Sequence, residues 1–209
     1  IPWSVGNPKL PFNIDLNDYD NDQDIFGYKK IKLANSLFDP TMRKEITGFS
    51  VYRNYLPAPQ ANFINLTVNN DLVGLYVNTE SVNLEFMDKH FNENDGVFFK
   101  CESQDLFGVE NSSLVSALDY RGLDSLSYYE SYELKSDSGW KELIDMIYAL
   151  NNDIDNIEKY LNVDRALWYL AVNTCILNAD TYNLVNIRNY YMYQTENGQF
   201  QIIPWDVSE

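Results

Sequence analysis

The sequence predicts an α+β fold of two lobes, β-rich first and α-rich second, closed by a β-hairpin. Three observations carry this. Short alternating runs fill the first hundred or so residues, a 3.6-residue apolar period takes over from Gly139, and two strand-forming runs flank a Glu196-Asn-Gly198 turn near the end. The expected layout is one domain over 1–209, with a β-rich lobe to about residue 100, a connecting segment at about 101–138 and a helical lobe with the hairpin at 139–209. Clefts between such lobes are where ligands sit.

Taken in order, Pro8–Asp15 alternates Leu10, Phe12 and Ile14 and reads as a strand. The acidic stretch that follows, with Asp18, Asp20, Asp22 and Asp24, invites a calcium reading. An EF-hand loop needs Gly sixth and Glu twelfth, however, and Gln23 and Lys29 stand there, so a solvated loop is the better reading. Lys29–Leu33 alternates as a second strand. Asp39-Pro40 supplies an N-cap and a first-turn proline for a helix from about Pro40 to Tyr52, with Met42, Ile46 and Phe49 on one face. Phe63–Val68 and Leu72–Val77 form a hairpin about Asn69-Asn-Asp71. A short helix then reaches Lys89, and Gly96–Lys100 is another strand. Ser103–Ser138 is polar and irregular. Trp140, Leu143, Ile144, Ile147 and Leu150 mark one helix, Ile154, Ile157 and Leu161 a second, and Val163-Asp164 opens a third. Asn189–Gln194 and Gln199–Ile203 are the arms of the closing hairpin.

Composition narrows the function classes. A formal charge of -16 opposes nucleic acid and anionic membranes as partners, since both require clustered Lys and Arg. It fits solubility in a salty or extracellular medium, or a preference for basic partners. No apolar run approaches the length of about 18 residues that a membrane-inserted helix requires. Cys101 and Cys175 either form one bridge or are two buried small hydrophobes, the second being favoured. His90 is the sole histidine and lacks a serine or cysteine motif, which opposes a His-dependent triad. Both ends, at Ile1 and just past a motif at Glu209, are expected to be cuts.

The chemistry concentrates at the closing hairpin. A hairpin brings its open ends together, so Asn189, before the first arm, lies near Asp206, just beyond the second. Asp180 precedes Asn189 by one short loop at a helix exit. Two carboxylates and an amide oxygen are hard ligands of the kind that suits Mg²⁺. Acid, Asn, hairpin, acid is also the order used in kinase-like phosphoryl transfer. The alternative is that Asp180 and Asp206 are ordinary loop and turn formers.

Asn189-Tyr-Tyr-Met-Tyr193 followed by Ile203-Pro-Trp-Asp206 resembles the Asn-Tyr-Tyr-Leu-Tyr and Pro-Trp-Asp elements of CotH-type kinases. Asp180-Thr-Tyr182 is similar to that family's Asp-x-Tyr, Asp39-Pro-Thr-Met-Arg43 to its Asp-x-Ser/Thr-x-Arg, Asn69–Glu80 to its Asn-Gly-x-x-x-Gly-x-Tyr-x-x-x-Glu, and Asp95–Lys100 to its Asp-Gly-x-Leu-Tyr-Lys. The matches run in family order over nearly the whole chain. The resemblance implies an atypical protein-kinase-like fold, C-terminally truncated, and ATP-dependent transfer to Ser or Thr of a protein with Mg²⁺ or Mn²⁺. Asp180 would be catalytic, and Asn189 and Asp206 would hold metal. Candidate nucleotide ligands are Lys9, Arg43, Glu80 and Lys100. Each has a plainer reading: a solvated strand lysine, a partner for Asp39, a helix N-terminal carboxylate and a surface lysine. Spore-coat, secreted or cell-surface placement and a basic Ser-rich protein substrate are expected. The rival expectations are a noncatalytic surface or adhesion module of the same fold, or a calcium-loaded carbohydrate binder using the Asp18–Asp24 loop.

Overall fold

The computed structural model describes residues 9–37, 39–102, 115–183 and 187–207. Its architecture is α+β, with two antiparallel four-stranded sheets and four α-helices among those residues. The first sheet runs β1 (Phe12–Asp15), β2 (Lys30–Ala34), β4 (Asp71–Thr79), β3 (Ala61–Val68) in spatial order. Between β2 and β3 the chain forms α1 (Lys44–Tyr52), and after β4 it forms α2 (Leu84–Phe91). The second sheet runs β6 (Tyr132–Leu134), β5 (Phe98–Cys101), β7 (Tyr190–Gln194), β8 (Phe200–Pro204). Helices α3 (Trp140–Asn152) and α4 (Val163–Ile176) flank a six-residue 3₁₀ stretch, Ile154–Lys159.

Several expectations are corrected. Helix α1 begins at Lys44, not Pro40, because Met42 takes a left-handed φ of 57°. The Asp39 carboxylate still caps it from a distance, accepting the Thr41 and Lys44 amides at 3.0 and 2.8 Å and the Thr41 hydroxyl at 2.6 Å. The closing hairpin is not alone: β5 from the first half of the chain pairs with β7 (Lys100 opposite Tyr191), and β6 pairs with β5. The segment expected to be irregular supplies β6 and buries Tyr128 and Tyr132; residues 103–114 lie outside the described set. Cys101 is buried as expected, but Cys175 is exposed, and the two are free thiols. Asp18, Asp20, Asp22 and Asp24 are solvent-exposed, and the carboxylates of Asp20 and Asp24 form turns by accepting the Asp22 and Gly27 amides.

Most of the core lies between the second sheet and the helices. Phe49 and Tyr52 of α1 share one cluster with Phe99 of β5, Leu143 and Ile147 of α3, Tyr169 of α4 and Tyr190 and Met192 of β7. Each such side chain contributes about 1.5–3 kcal/mol by leaving water. A smaller cluster of Phe86, Met87, Phe98, Tyr191, Tyr193 and Ile203 clamps α2 onto the closing hairpin, with Trp205 packed against it. Tyrosines suit these positions because the ring fills space while the hydroxyl takes a backbone partner: the Leu118 amide donates to Tyr132 and the Arg121 amide to Tyr128.

Entry into β5 needs a bare backbone. A Cβ on Gly96 would sit 2.1 Å from the Gln194 carbonyl oxygen and 2.8 Å from the Tyr193 ring. Gly96→Ala is expected to cost about 1–3 kcal/mol of stability, read as a lower urea midpoint. An unchanged midpoint would contradict this close approach.

Candidate active site

Helix α4 ends on Leu177, which takes a left-handed conformation and donates back to Asn173 and Thr174 carbonyls. The chain that leaves it is pinned on both sides of Asp180. The Asn178 amide donates to Asn173 Oδ1, and the Thr181 hydroxyl bonds the Tyr169 hydroxyl at 2.6 Å. Asp180 is only 2% exposed. Its Oδ2 accepts from Arg188 Nε and Nη2 at 2.7 and 2.5 Å and from Asn189 Nδ2 at 2.8 Å. Its Oδ1 is buried and has no hydrogen-bond partner among the described residues. A buried carboxylate oxygen without a donor is costly unless a water or a bound group meets it.

Asn189 and Asp206 flank the open end of the β7–β8 hairpin, where Tyr190 pairs with Pro204. Both take left-handed φ values, 62° and 45°, a region that Asn and Asp tolerate better than other side chains. Asn189 turns its amide nitrogen onto Asp180. The neighbouring Trp205 packs edge-on against Tyr191, and Asp206 lines a cavity of about 390 Å³.

That cavity lies where β1, β2, the end of β4, α1 and the end of β8 meet. Besides Asp206 and Trp205 its lining includes Lys32, Glu45, Thr79 and Asn35. Lys32 Nζ stands 4.0 Å above the Trp205 ring. Burial lowers the Lys32 ammonium to about 8, Lys100 and Lys30 push it further down, and Glu45 and Asp206 oppose the shift. Burial raises the Glu45 carboxyl to about 7, aided by the Asp206 charge and opposed by Lys32. A cation and two carboxylates thus share one partly dry space, each feeling the others.

The other sequence candidates are spread around this centre. Lys9 donates to the Asn35 carbonyl at 3.1 Å and lies 4.5 Å from the Tyr76 ring centroid. Lys100 pairs with Glu102 and acts on Lys32 through its charge. Arg43 lines a different cavity with Lys44, Thr47 and Val207, and no Arg43–Asp39 ion pair forms because Asp39 is taken by the helix start. Glu80 lines a further cavity with Tyr28, Arg53 and Gln60. Asp180 and Asn189 are brought together; Asp180 is not among the residues lining the Asp206 cavity.

Glu80 carries a structural signature. Burial alone would raise its carboxyl, but His90 at 4.0 Å, Lys89 at 2.6 Å and the Gln60 amide at 2.9 Å hold it down to about 2. A depressed carboxyl stabilises the fold above its unfolded value of 4.5, and that contribution is lost as pH falls toward about 2. The stability gap between wild type and Glu80→Gln is therefore expected to shrink by about 1–2 kcal/mol between about pH 6 and about pH 3. Urea titrations giving a constant gap would contradict the assignment.

Lys32 and Glu45 line this cavity and were not among the residues that the sequence singled out. The signal for Glu45 was present: Glu45, Gly48, Phe49 and Tyr52 are the buried face of α1, at helical spacing, with a carboxylate in an apolar position.

Comparison with known proteins gives this arrangement its family. The profile described as CotH kinase protein matches residues 3–209, and the chain belongs to that family. It is similar to the inner spore coat protein H of Bacillus subtilis strain 168, with 26% identity over 189 residues. That match takes in 86% of this chain and 49% of the relative, so the chain spans about half of the relative's length.

Proposed function

We propose that this chain is an atypical protein kinase that transfers the γ-phosphoryl group of ATP to a Ser or Thr hydroxyl of a protein. The observation that carries the reading is the grouping of Lys32, Glu45 and Asp206 around one cavity. A strand lysine directed at phosphates, a helix glutamate steadying it and an aspartate at the end of a hairpin are the charges that kinase-type phosphoryl transfer uses. On this reading the first sheet with α1 and the second sheet with α3 and α4 are the two lobes of a kinase-like fold, with the cavity between them.

A hard divalent cation such as Mg²⁺ or Mn²⁺ would draw on Asp206, Asn189 and Asp180, although among the described residues no cluster of three acidic, His or Cys side chains stands together to hold it. Asp206 offers a carboxylate, Asn189 an amide oxygen, and the unpartnered Asp180 Oδ1 lies beside Asn189. The ion would neutralise charge on the phosphates. Asp180 accepts the substrate hydroxyl proton at Oδ1, while Arg188 and Asn189 fix its orientation through Oδ2. Lys32 binds a phosphate oxygen, and Glu45 and the Trp205 ring position its ammonium. Lys9 and Lys100 add positive charge at the margin of the site. An acidic chain favours a basic, Ser-rich protein substrate. Kinship with a spore coat protein supports a spore-coat or extracellular setting; among the described residues no helix is long and apolar enough to cross a membrane.

The test is transfer of labelled phosphate from ATP to a Lys/Arg-rich Ser peptide, with and without Mg²⁺ or Mn²⁺. Metal-dependent labelling is expected, and none with either ion would end the reading. The burial of Asp180 away from the Asp206 cavity favours a second reading, a noncatalytic surface module of the same fold. Mg·ATP separates the two: a rise in melting temperature supports the kinase, and no shift supports the module.

A further inference from the structure

The β3–β4 hairpin extends well beyond its neighbour. Strand β2 pairs with β4 only at Val77–Thr79, so Asp71–Tyr76 of β4 have no strand on that side among the described residues. Strand β3 is the edge of the sheet, and over its eight residues, Ala61–Val68, no backbone bond other than the β3–β4 ladder is found among the described residues. The outer part of the hairpin is therefore a two-stranded ribbon with two open edges, an arrangement that is marginal in water by itself. It is also apolar on the outside: Leu72 is 70% exposed, Val68 45%, Phe63 44% and Leu75 41%.

The usual protections of an edge strand are missing from β3. Ala61–Val68 contains no Lys, no Pro and no charged residue, although 22% of the chain is charged. A bulge is present at Leu66/Thr67, but the unpaired residue is Val73 of β4, which leaves the outer side of β3 regular.

We infer that β3 is a docking edge and that its occupant is a second copy of this chain, paired β3 to β3 antiparallel about a two-fold axis at Asn65. Two arguments select this partner. Each copy carries -16, so contact between two copies is least opposed along a surface free of carboxylates, and β3 is such a surface. The strand is also its own complement: with Asn65 opposite itself, Ile64 faces Leu66 and Phe63 faces Thr67, aliphatic and aromatic–β-branched pairs that stabilise sheets. An isologous contact of this kind closes as a dimer and joins two four-stranded sheets into one of eight.

The experiment is sedimentation with light scattering on the protein from about 1 to about 200 μM, at about 0.05 and about 0.5 M NaCl. Expected is a dimer whose dissociation constant falls at the higher salt, as repulsion between acidic copies is screened. Asn65→Lys, which sets two ammonium groups across the axis on an exposed polar position, raises that constant about two- to fivefold. Register is checked by crosslinking in a Cys175→Ser background. Antiparallel partners lie about 4.5–5.5 Å apart at Cα, within disulfide reach, so Asn65→Cys links two chains on mild oxidation and Asn62→Cys, which faces position 68, does not. A monomer throughout, a dimer that Asn65→Lys leaves unchanged, a higher aggregate, or equal crosslinking at both positions would each overturn the inference.

Discussion

Replacing Asp180 by Asn is expected to reduce phosphoryl transfer by at least about 100-fold, the contribution of a positioned proton acceptor. The amide occupies the same volume, so packing around Thr181 and Tyr169 persists, but it offers no carboxylate to the hydroxyl proton. Nucleotide binding is expected to stay close to wild type, because Lys32, Glu45 and Asp206 lie in a cavity that Asp180 does not line. The substitution also removes the charge that Arg188 meets, and that side chain is only 17% exposed. A loss of stability of about 1–3 kcal/mol accompanies it for that reason. Arg188→Lys isolates the second effect: it keeps a cation beside Asp180 but gives up the paired Nε and Nη2 contacts, so its deficit reflects orientation and not proton acceptance. A folded Asp180→Asn protein with full transfer activity would remove Asp180 from catalysis and turn the reading toward the noncatalytic module.

At this candidate site the places of Asn189 and Asp206 at the open end of the hairpin were legible in sequence, because local geometry fixes them. Asn189 and Asp206 flank an Asn-Gly hairpin, and any hairpin brings such positions together whatever it packs against. Asp180 lies one loop away from them. Lys32 and Glu45 were not legible in the same way. Lys29–Leu33 alternates, which says that Lys30 and Lys32 share a face, but the face that meets Asp206 is chosen by the β1–β2–β4 order, a non-local fact. On α1 the apolar residues Met42, Ile46 and Phe49 suggested one face, while the buried one is Glu45, Gly48, Phe49 and Tyr52. Hydrophobicity misleads there because the buried side carries a carboxylate, Glu45. The pairing of β5 with β7, across about ninety residues, likewise has no local signal; each strand was read, but not its partner.

Lys32→Met is expected to lower transfer by about 100-fold or more while making the protein more stable, and the combination distinguishes a functional lysine from a structural one. Sign follows from the ammonium's position. Burial outweighs the attraction of Glu45 and Asp206, leaving the group near 8 against 10.5 when solvated. A lysine lowered by folding is neutralised more readily in the native state. Its charge therefore opposes folding throughout the range below about 8, and the penalty fades only as pH rises from there toward 10.5. Methionine fills similar space without that charge, so at pH 7 the metal-free variant gains about 1–3 kcal/mol, or a few degrees in melting temperature. Above about pH 10.5 the two proteins converge. Glu45 behaves in the mirror sense: its carboxyl is raised to about 7, so its penalty is absent below about 4.5 and grows as pH climbs from there to 7. Glu45→Gln is accordingly stabilising at pH 8 and neutral at pH 4. Thermal melts of both variants against pH, beside transfer rates at pH 7.5, provide the check. A lysine whose removal leaves transfer intact, or destabilises the fold at neutral pH, would be a packing residue, and the cavity would lose its claim to be the nucleotide site.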